Sequence, residues 1–490
     1  MENEKTMNFK NLAWKSFLVL SVPLALAPMV LCVMGMPMAS DDSYYMSIVE
    51  RIAEGKVLYK DVSTGYNPLY FYLMAGLKWL FHIPVGCIEA YRSIHFVIQL
   101  LAAFFLFKVI RCFGIDWRIA YFCAWLLVMN SHWMQGNELI LEIPTVMFGL
   151  LAIWMVMIQA KNEALYLFLS GVAASCAYLC KQYGLGFAFL CMYLMLFWRK
   201  SDGLILRGRQ IIVFVLGFLL PVLLCLAIWG RSFIEMTLLN GYGTSIEKSY
   251  GRGAEHKMNN TISAFRLLFI RLAPALSPTL LFIPLIVREK KTIMAVFCWL
   301  GILGFMLQYW FHFEPHYMLI LLPFAMILFS LVISLLPKAR KIVAALFLVA
   351  LLGEVSYSLY ADYHNRIGKL YLHPEYQQKM RHLSDEVKER IPEGATLYIL
   401  NGGLYFVYYQ TNIVPPNLST IGYSYGGAGL TIENAFRQAE SADYVLSFDW
   451  EGAEPYYTKE LKKFIYSHEE VYVDTIWDAV LHDMSKLKEE

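Results

Sequence analysis

Long apolar runs, interrupted by short basic or acidic segments, dominate the first three-quarters of the chain. From near Ser16 to near Tyr360 the runs measure about 17 to 25 residues, enough for a helix to cross ~30 Å of hydrocarbon. About eleven are present, centred near Leu26, Leu101, Leu126, Leu150, Ala173, Tyr193, Gly217, Leu281, Phe297, Pro323 and Phe347. The pattern changes after about Asp362. His373 to Arg390 places apolar residues at helical spacing, whereas Ala395 to Leu400, Tyr405 to Tyr409, Tyr444 to Phe448 and Val471 to Ile476 read as short strands bounded by Gly, Pro and Asn. The pattern predicts a polytopic α-helical membrane domain over residues 1–360 and a small α/β domain over 361–490.

The segment between the first two runs, 39–91, is patterned rather than slack. After Asp42 as an N-cap, Tyr45, Ile48, Val49 and Ile52 recur at helical spacing and Gly55 supplies the stop, which predicts an amphipathic helix on the membrane surface. Asn67-Pro68 then opens a second helix through Leu69, Phe71, Tyr72 and Met74 to Trp79, with Pro in the first turn, where its missing N–H costs nothing.

Composition supports a membrane protein: 58% of the 490 residues are apolar and only 16% are charged. A net charge of +2 offers no footprint for nucleic acid. Of the nine cysteines, Cys32, Cys112, Cys123, Cys176, Cys180, Cys191, Cys225 and Cys298 fall in or beside apolar runs and Cys87 lies in a loop, a distribution of small buried hydrophobes. Orientation follows from the cations of every second loop: Lys5, Lys10 and Lys15; Lys108, Arg111 and Arg118; Arg199, Lys200, Arg207 and Arg209; Arg288, Lys290 and Lys291; Lys338, Arg340 and Lys341. This bias puts the N-terminus in the cytoplasm and Asp41, Asp42 and the C-terminal domain outside a plasma (inner) membrane. The first run ends in Met38-Ala39-Ser40 like a signal peptide, but its ~20 residues exceed the usual 7–15-residue core, so it is expected to be retained.

Charges that interrupt apolar sequence are the candidates for chemistry. Lys181, in AYLCKQYGLG, is a lone ammonium that needs an anion or must snorkel to the interface. The later outer loop, 231–266, keeps Lys248, Arg252 and Lys257 outside against the bias, amid Gly241, Gly243, Gly251 and Gly253. Such a loop suits either a basic lid over an anionic head group or a plain solvated surface. The glycine-rich stretch 421–429 lacks the spacing of a phosphate cradle and reads as a connector.

The order Asp41-Asp42, then Gly55, Tyr59 and Asp61 in a Gly-x-x-x-Tyr-x-Asp pattern, then Asn67-Pro-Leu-Tyr70, then Arg92 resembles the GT-C glycosyltransferases. These are the multi-span enzymes of the dolichyl-phosphate-mannose protein mannosyltransferase type, with bacterial relatives that decorate lipopolysaccharide cores and lipid A. Glu142 in LILEIPTVMFG, Lys181, and His316-Tyr317 in FEPHYMLILLP extend the resemblance over most of the membrane domain. It implies inverting transfer of a sugar from a polyprenyl-phosphate carrier to an acceptor outside the cytoplasm, whether protein, lipid or cell-envelope glycan. By that resemblance Asp41 takes the catalytic base position. Asp42, the second catalytic carboxylate, which would orient the acceptor or share the proton, stands where the family usually has Glu, keeping the charge but shortening the reach. Lys181, Arg252, His316 and Tyr317 would meet the donor phosphate, and Asp61, Glu142 and Arg92 would brace the site or serve the acceptor. No metal-ligand set is expected, although branches of the family differ in their use of a divalent cation. A lipid-linked saccharide flippase or a polysaccharide polymerase shares the topology, but flippases often show internal repeats, which are not seen here.

Overall fold

The computed structural model describes residues 38–240 (except 39, 63, 132–137, 159–160 and 200–203), 282–336 (except 308–314) and 375–487 (except 401–403, 405, 417–431 and 449–458), with scattered positions between 15 and 33 and at 262, 276 and 280. Apolar helices account for most of the first two stretches. Three are long and apolar enough to cross a membrane by length and composition: α3 (Ile88–Cys112), α6 (Glu163–Cys180) and α8 (Leu204–Trp229), the last over 205–229. Shorter apolar helices accompany them: α4 (Trp117–Ser131), α5 (Glu142–Met157), α7 (Leu185–Phe197), α9 (Ile283–Arg288), α10 (Thr292–Met306) and α11 (Leu322–Leu335). The named helices cover eight of the expected run centres. Leu26 is helical as well, whereas Leu281 and Phe347 lie outside the described residues.

Lipid gives apolar helices no reason to associate by burial alone, so the bundle relies on close packing. Gly171 of α6 abuts the backbone carbonyl of Phe214, and Gly217 of α8 abuts that of Phe168; a Cβ at either position would overlap main-chain oxygen. Farther along the bundle, Phe187 on α7 packs against Phe305 and Phe324 with ring centroids 5.1 and 6.0 Å apart.

The helix ends sort onto two faces. At one, Lys291 Nζ donates to the Phe113 carbonyl (3.4 Å), the Phe113 ring meets Trp198 at 4.9 Å, and Arg199 pairs with Glu163 (2.7 Å) while donating to the Val156 carbonyl (2.9 Å). The basic loops after α3, α7 and α9 therefore share one end. The start of α5, the end of α6 and the start of α11 lie at the other.

Over that second end sit the two helices of the segment 39–91, α1 (Ser40–Ala53) and α2 (Leu69–Phe81). Their existence follows the sequence pattern, but α1 does not lie on a membrane surface. Tyr44, Tyr45, Met46, Ile48, Val49, Glu50 and Arg51 are all buried, so both faces of the helix are covered. The cover comes from the C-terminal region. Arg51 donates to the side chain and the carbonyl of Asn412, and Asn412 Nδ2 donates to Glu54 at 2.8 Å.

In that region α12 (Glu375–Arg390) buries Met380, Leu383 and Val387 in the same apolar cluster as α1. A four-stranded sheet follows, in the order β1 (Leu397–Ile399), β2 (Tyr444–Phe448), β4 (Ala479–Leu487), β3 (His468–Asp474). The β1–β2 pair is parallel and the others antiparallel. The segment expected to be a strand over Tyr405 to Tyr409 is instead helix α13 (Phe406–Thr411). Its residues are buried on all sides, which erases the period that separates helix from strand, and Tyr408 Oη accepts from the Ile399 amide and donates to the Leu397 carbonyl, each at 2.9 Å. α14 (Ile432–Ser441) and α15 (Lys459–Tyr466) complete the layer. The expected boundary near residue 360 falls outside the described residues.

Replacing Gly217 by Leu is expected to force α6 and α8 apart at a cost of about 1–3 kcal/mol. Thermal unfolding in detergent should show a midpoint several degrees lower, and an unchanged midpoint would mean the two backbones do not touch there.

Candidate active site

Two carboxylates in the first turn of α1 are favoured by the unpaired amides at that helix end. They have different surroundings. Asp42 is fully buried, with Oδ2 paired to Arg92 Nη2 of α3 at 2.5 Å and Oδ1 accepting the Leu139 amide at 2.6 Å. Asp41 is only partly buried. It lies close enough to the Tyr45 and Tyr66 hydroxyls to disfavour their ionisation. Burial is the main cause that holds both phenols well above their usual range, and a neighbouring phenol comes next: Tyr66 for Tyr45, Tyr317 for Tyr66. Asp41 acts on both, and Glu142 also acts on Tyr45.

The opposing half of the site comes from three helix ends. Glu142 opens α5, and Lys181 caps α6 in an extended conformation (φ −150°, ψ 140°). The chain then makes a tight turn over Gln182–Gly184, where Gly184 lies so close to the Ala177 carbonyl that a side chain would not fit. Lys181 Nζ donates to Glu142 Oε1, which also accepts Tyr183 Oη at 3.4 Å and has His316 Nε2 at 3.6 Å. Glu142 Oε2 is buried with no hydrogen-bond partner among the described residues. Three aromatic rings surround the ammonium: Tyr317 at 4.6 Å, Tyr183 at 4.9 Å and Tyr66 at 5.8 Å from its Nζ. His316 and Tyr317 belong to the turn Pro315–Ile320 that leads into α11.

The fold thus gathers Asp41, Glu142, Lys181, His316 and Tyr317 from four separated stretches of sequence. Asp42 and Arg92 are paired beside them. Asp61 lies elsewhere in the loop, where its Oδ2 accepts the Val57 amide at 2.8 Å and closes a turn in which Tyr59 is left-handed (φ 66°). Asn67 Nδ2 donates to the Tyr178 carbonyl in the last turn of α6, and Tyr70 Oη sits 3.3 Å from His95 Nδ1. The Asn-Pro-Leu-Tyr motif therefore fastens the outer loop to the bundle. Arg252 and most of the loop 231–266 lie outside the described residues, as does 421–429.

Residue-type reasoning missed Tyr45, Tyr66, Tyr183 and Gln182. Tyr45 reads as one more apolar helix position, and Tyr66 and Tyr183 are lost among 32 tyrosines. Gln182 is buried and donates to the Gly65 carbonyl at 2.6 Å, so its only signal was a polar residue beside Lys181 in an apolar run.

No family model and no curated protein sequence matches the chain. Solved structures do. ArnT from Cupriavidus metallidurans bound to undecaprenyl phosphate superposes with a TM-score of 0.62 at 14% identity, over 95% of this chain and 98% of ArnT. Its apo form gives 0.61 at 14% identity, over 98% and 100%. An Archaeoglobus fulgidus oligosaccharyltransferase tethered to an acceptor peptide containing the NVT sequon gives 0.52 at 13% identity, over 90% and 69%. The chain shares the fold of these structures. Within that fold the clustered residues occupy the bundle end covered by α1, α2 and the C-terminal sheet layer.

Arg92→Met is expected to leave Asp42 charged and buried without its guanidinium, costing about 3–5 kcal/mol. Asp42→Asn made together with Arg92→Met should recover part of that loss. Chemical denaturation of the two single variants and the double variant measures the coupling, and strictly additive effects would show that the pair does not brace the site.

Proposed function

We propose that this chain is a membrane glycosyltransferase that moves a sugar from a polyprenyl-phosphate carrier to an acceptor outside the cytoplasm. The observation that carries the proposal is Lys181, a buried ammonium held by a single carboxylate and walled by three tyrosines, on the same end of the bundle as the partly buried Asp41. The undecaprenyl phosphate bound by ArnT, which shares the fold, supports a carrier of that class.

In the proposed reaction an acceptor hydroxyl attacks the anomeric carbon while Asp41 takes its proton. The bond between that carbon and the phosphate oxygen breaks, and its electron pair leaves with the polyprenyl phosphate. Lys181 meets the growing phosphate charge, with Tyr317 beside it and His316 adding charge when protonated. Displacement in one step inverts the anomeric configuration. Glu142 holds Lys181 in place until the phosphate arrives, and Asp42, fixed by Arg92, orients the first turn of α1. Arg252 would supply further positive charge from the later outer loop. The alternating basic loops support about eleven spans, with the N-terminus cytoplasmic and the sheet layer outside the inner membrane. A flippase is not favoured, because the gathered charges stand at helix ends rather than at mid-span.

Asp41→Asn should lower transfer about 10²- to 10⁴-fold while leaving polyprenyl-phosphate binding intact. Single-turnover assays with a panel of carrier-linked sugars test it, and near-normal turnover would overturn the assignment of the base. Lys181→Met combined with Glu142→Gln, which avoids stranding a carboxylate, should weaken carrier binding by roughly tenfold or more, the worth of one charge-assisted contact of about 1.5–3 kcal/mol. Unchanged carrier affinity would remove Lys181 from the phosphate site.

A further inference from the structure

Helix α2 has a buried beginning and an exposed apolar end. Tyr70, Phe71, Met74 and Ala75 are buried, whereas Trp79, Leu80 and Phe81 in the last turn are 77%, 59% and 63% exposed. Three consecutive large apolar side chains exposed on one turn form a patch rather than the scattered exposure common on protein surfaces. Val85, just beyond the helix, is exposed as well. The only charge within α2 is turned away from this patch: Lys78 Nζ donates to the Ile83 carbonyl at 2.7 Å and pairs with Glu50 of α1 at 2.9 Å. At 13 residues, α2 is only about 20 Å long and cannot span a bilayer.

Several observations indicate what covers the patch. Only residues 82–87 separate it from Ile88, the end of the 25-residue candidate span α3, so the patch lies near the height at which that span leaves the bilayer. At the other end of α2, Tyr72 packs on Trp229 at the end of α8 (5.5 Å), next to the exposed Leu224 and Ile228 of that lipid-facing helix. The patch is thus one short loop from one candidate span, and its helix packs at the other end on a second. Trp at the head of a Trp-Leu-Phe turn suits the bilayer interface, where an indole keeps its ring in the acyl boundary and its N–H near water.

We propose that the Trp79-Leu80-Phe81 tip of α2 inserts into the interfacial region of the bilayer leaflet on the Asp41 side. Through Lys78 this anchor is wired to Glu50, which also accepts Tyr91 Oη of α3 at 3.2 Å. The lipid surface therefore sets the height of α1 and of the carboxylates in its first turn. The insertion rests on the membrane character of the fold and not on sugar transfer, so its test needs no activity.

The experiment places the photoreactive residue p-benzoylphenylalanine at position 80 in the full-length protein, reconstituted in phosphatidylethanolamine–phosphatidylglycerol vesicles. The same residue at Lys56, an exposed position of the same outer loop, serves as the control. After irradiation and mass spectrometry, phospholipid adducts at position 80 in severalfold excess over position 56 are expected. Adducts to a second copy of the chain, or lipid labelling at position 80 no higher than at position 56, would overturn the proposal. Position 80 is exposed, so the substitution leaves the packed core untouched.

Discussion

The buried ion pair between Asp42 and Arg92 constrains everything built around it. A carboxylate withdrawn from water at this position is tolerable only when both oxygens are satisfied, and here a guanidinium takes one and the Leu139 amide the other. Three elements are thereby fixed together: the first turn of α1, the middle of α3's first half and the segment that enters α5. Successive side chains on a helix point about 100° apart. Once Asp42 is held, the helix sets the direction of the adjacent Asp41, which stays partly exposed as the proposed proton acceptor must. The two aspartates divide the work, one bracing and one facing the cluster.

The second charge pair obeys a different logic. Glu142 stands at the start of α5 and Lys181 at the end of α6, so each charge meets the helix terminus that favours it and the two helix ends draw the partners together. The tyrosine rings around the ammonium keep water away, which strengthens any interaction made there. In the proposed reaction an incoming phosphate would compete with one carboxylate oxygen for a cation already stripped of most of its solvent, so the desolvation cost of Lys181 would be met during folding rather than during binding.

Much of this was legible in the sequence for one reason: lipid penalises unpaired polar groups, so membrane sequences show their helices as apolar runs and their functional charges as interruptions. Lys181 stood out on that ground, whereas Glu142 and Arg92 entered through the resemblance. Only the resemblance separated Asp41 from Asp42, because spacing alone does not say which of two adjacent aspartates the helix turns toward the cluster. The burial of α1 was invisible because its cover, Asn412 and α13, lies some 360 residues away in the chain. The strand expected at Tyr405 to Tyr409 failed for a related reason, since a run buried on every side carries no period. The exposed tip of α2 looked like an ordinary helix end, because hydropathy is the same for a residue facing protein or lipid.

The C-terminal layer is no loosely tethered appendage. Its Leu383, Val407, Tyr409 and Leu446 share one apolar cluster with Tyr44 and Val49 of α1, Phe71 of α2 and Tyr91 of α3. Removing the layer would uncover the apolar residues of α1 and take away Asn412, the partner of Arg51, leaving the Asp42–Arg92 pair as the helix's principal tether. The sheet layer holds α1 through α13, and in the proposed arrangement the bilayer would hold it from a second direction through α2. A helix held at three points, by Arg92, by Asn412 and by Lys78, has little freedom to tilt, which is what the proposed base would require for its carboxylate to stay in register with a lipid-borne phosphate.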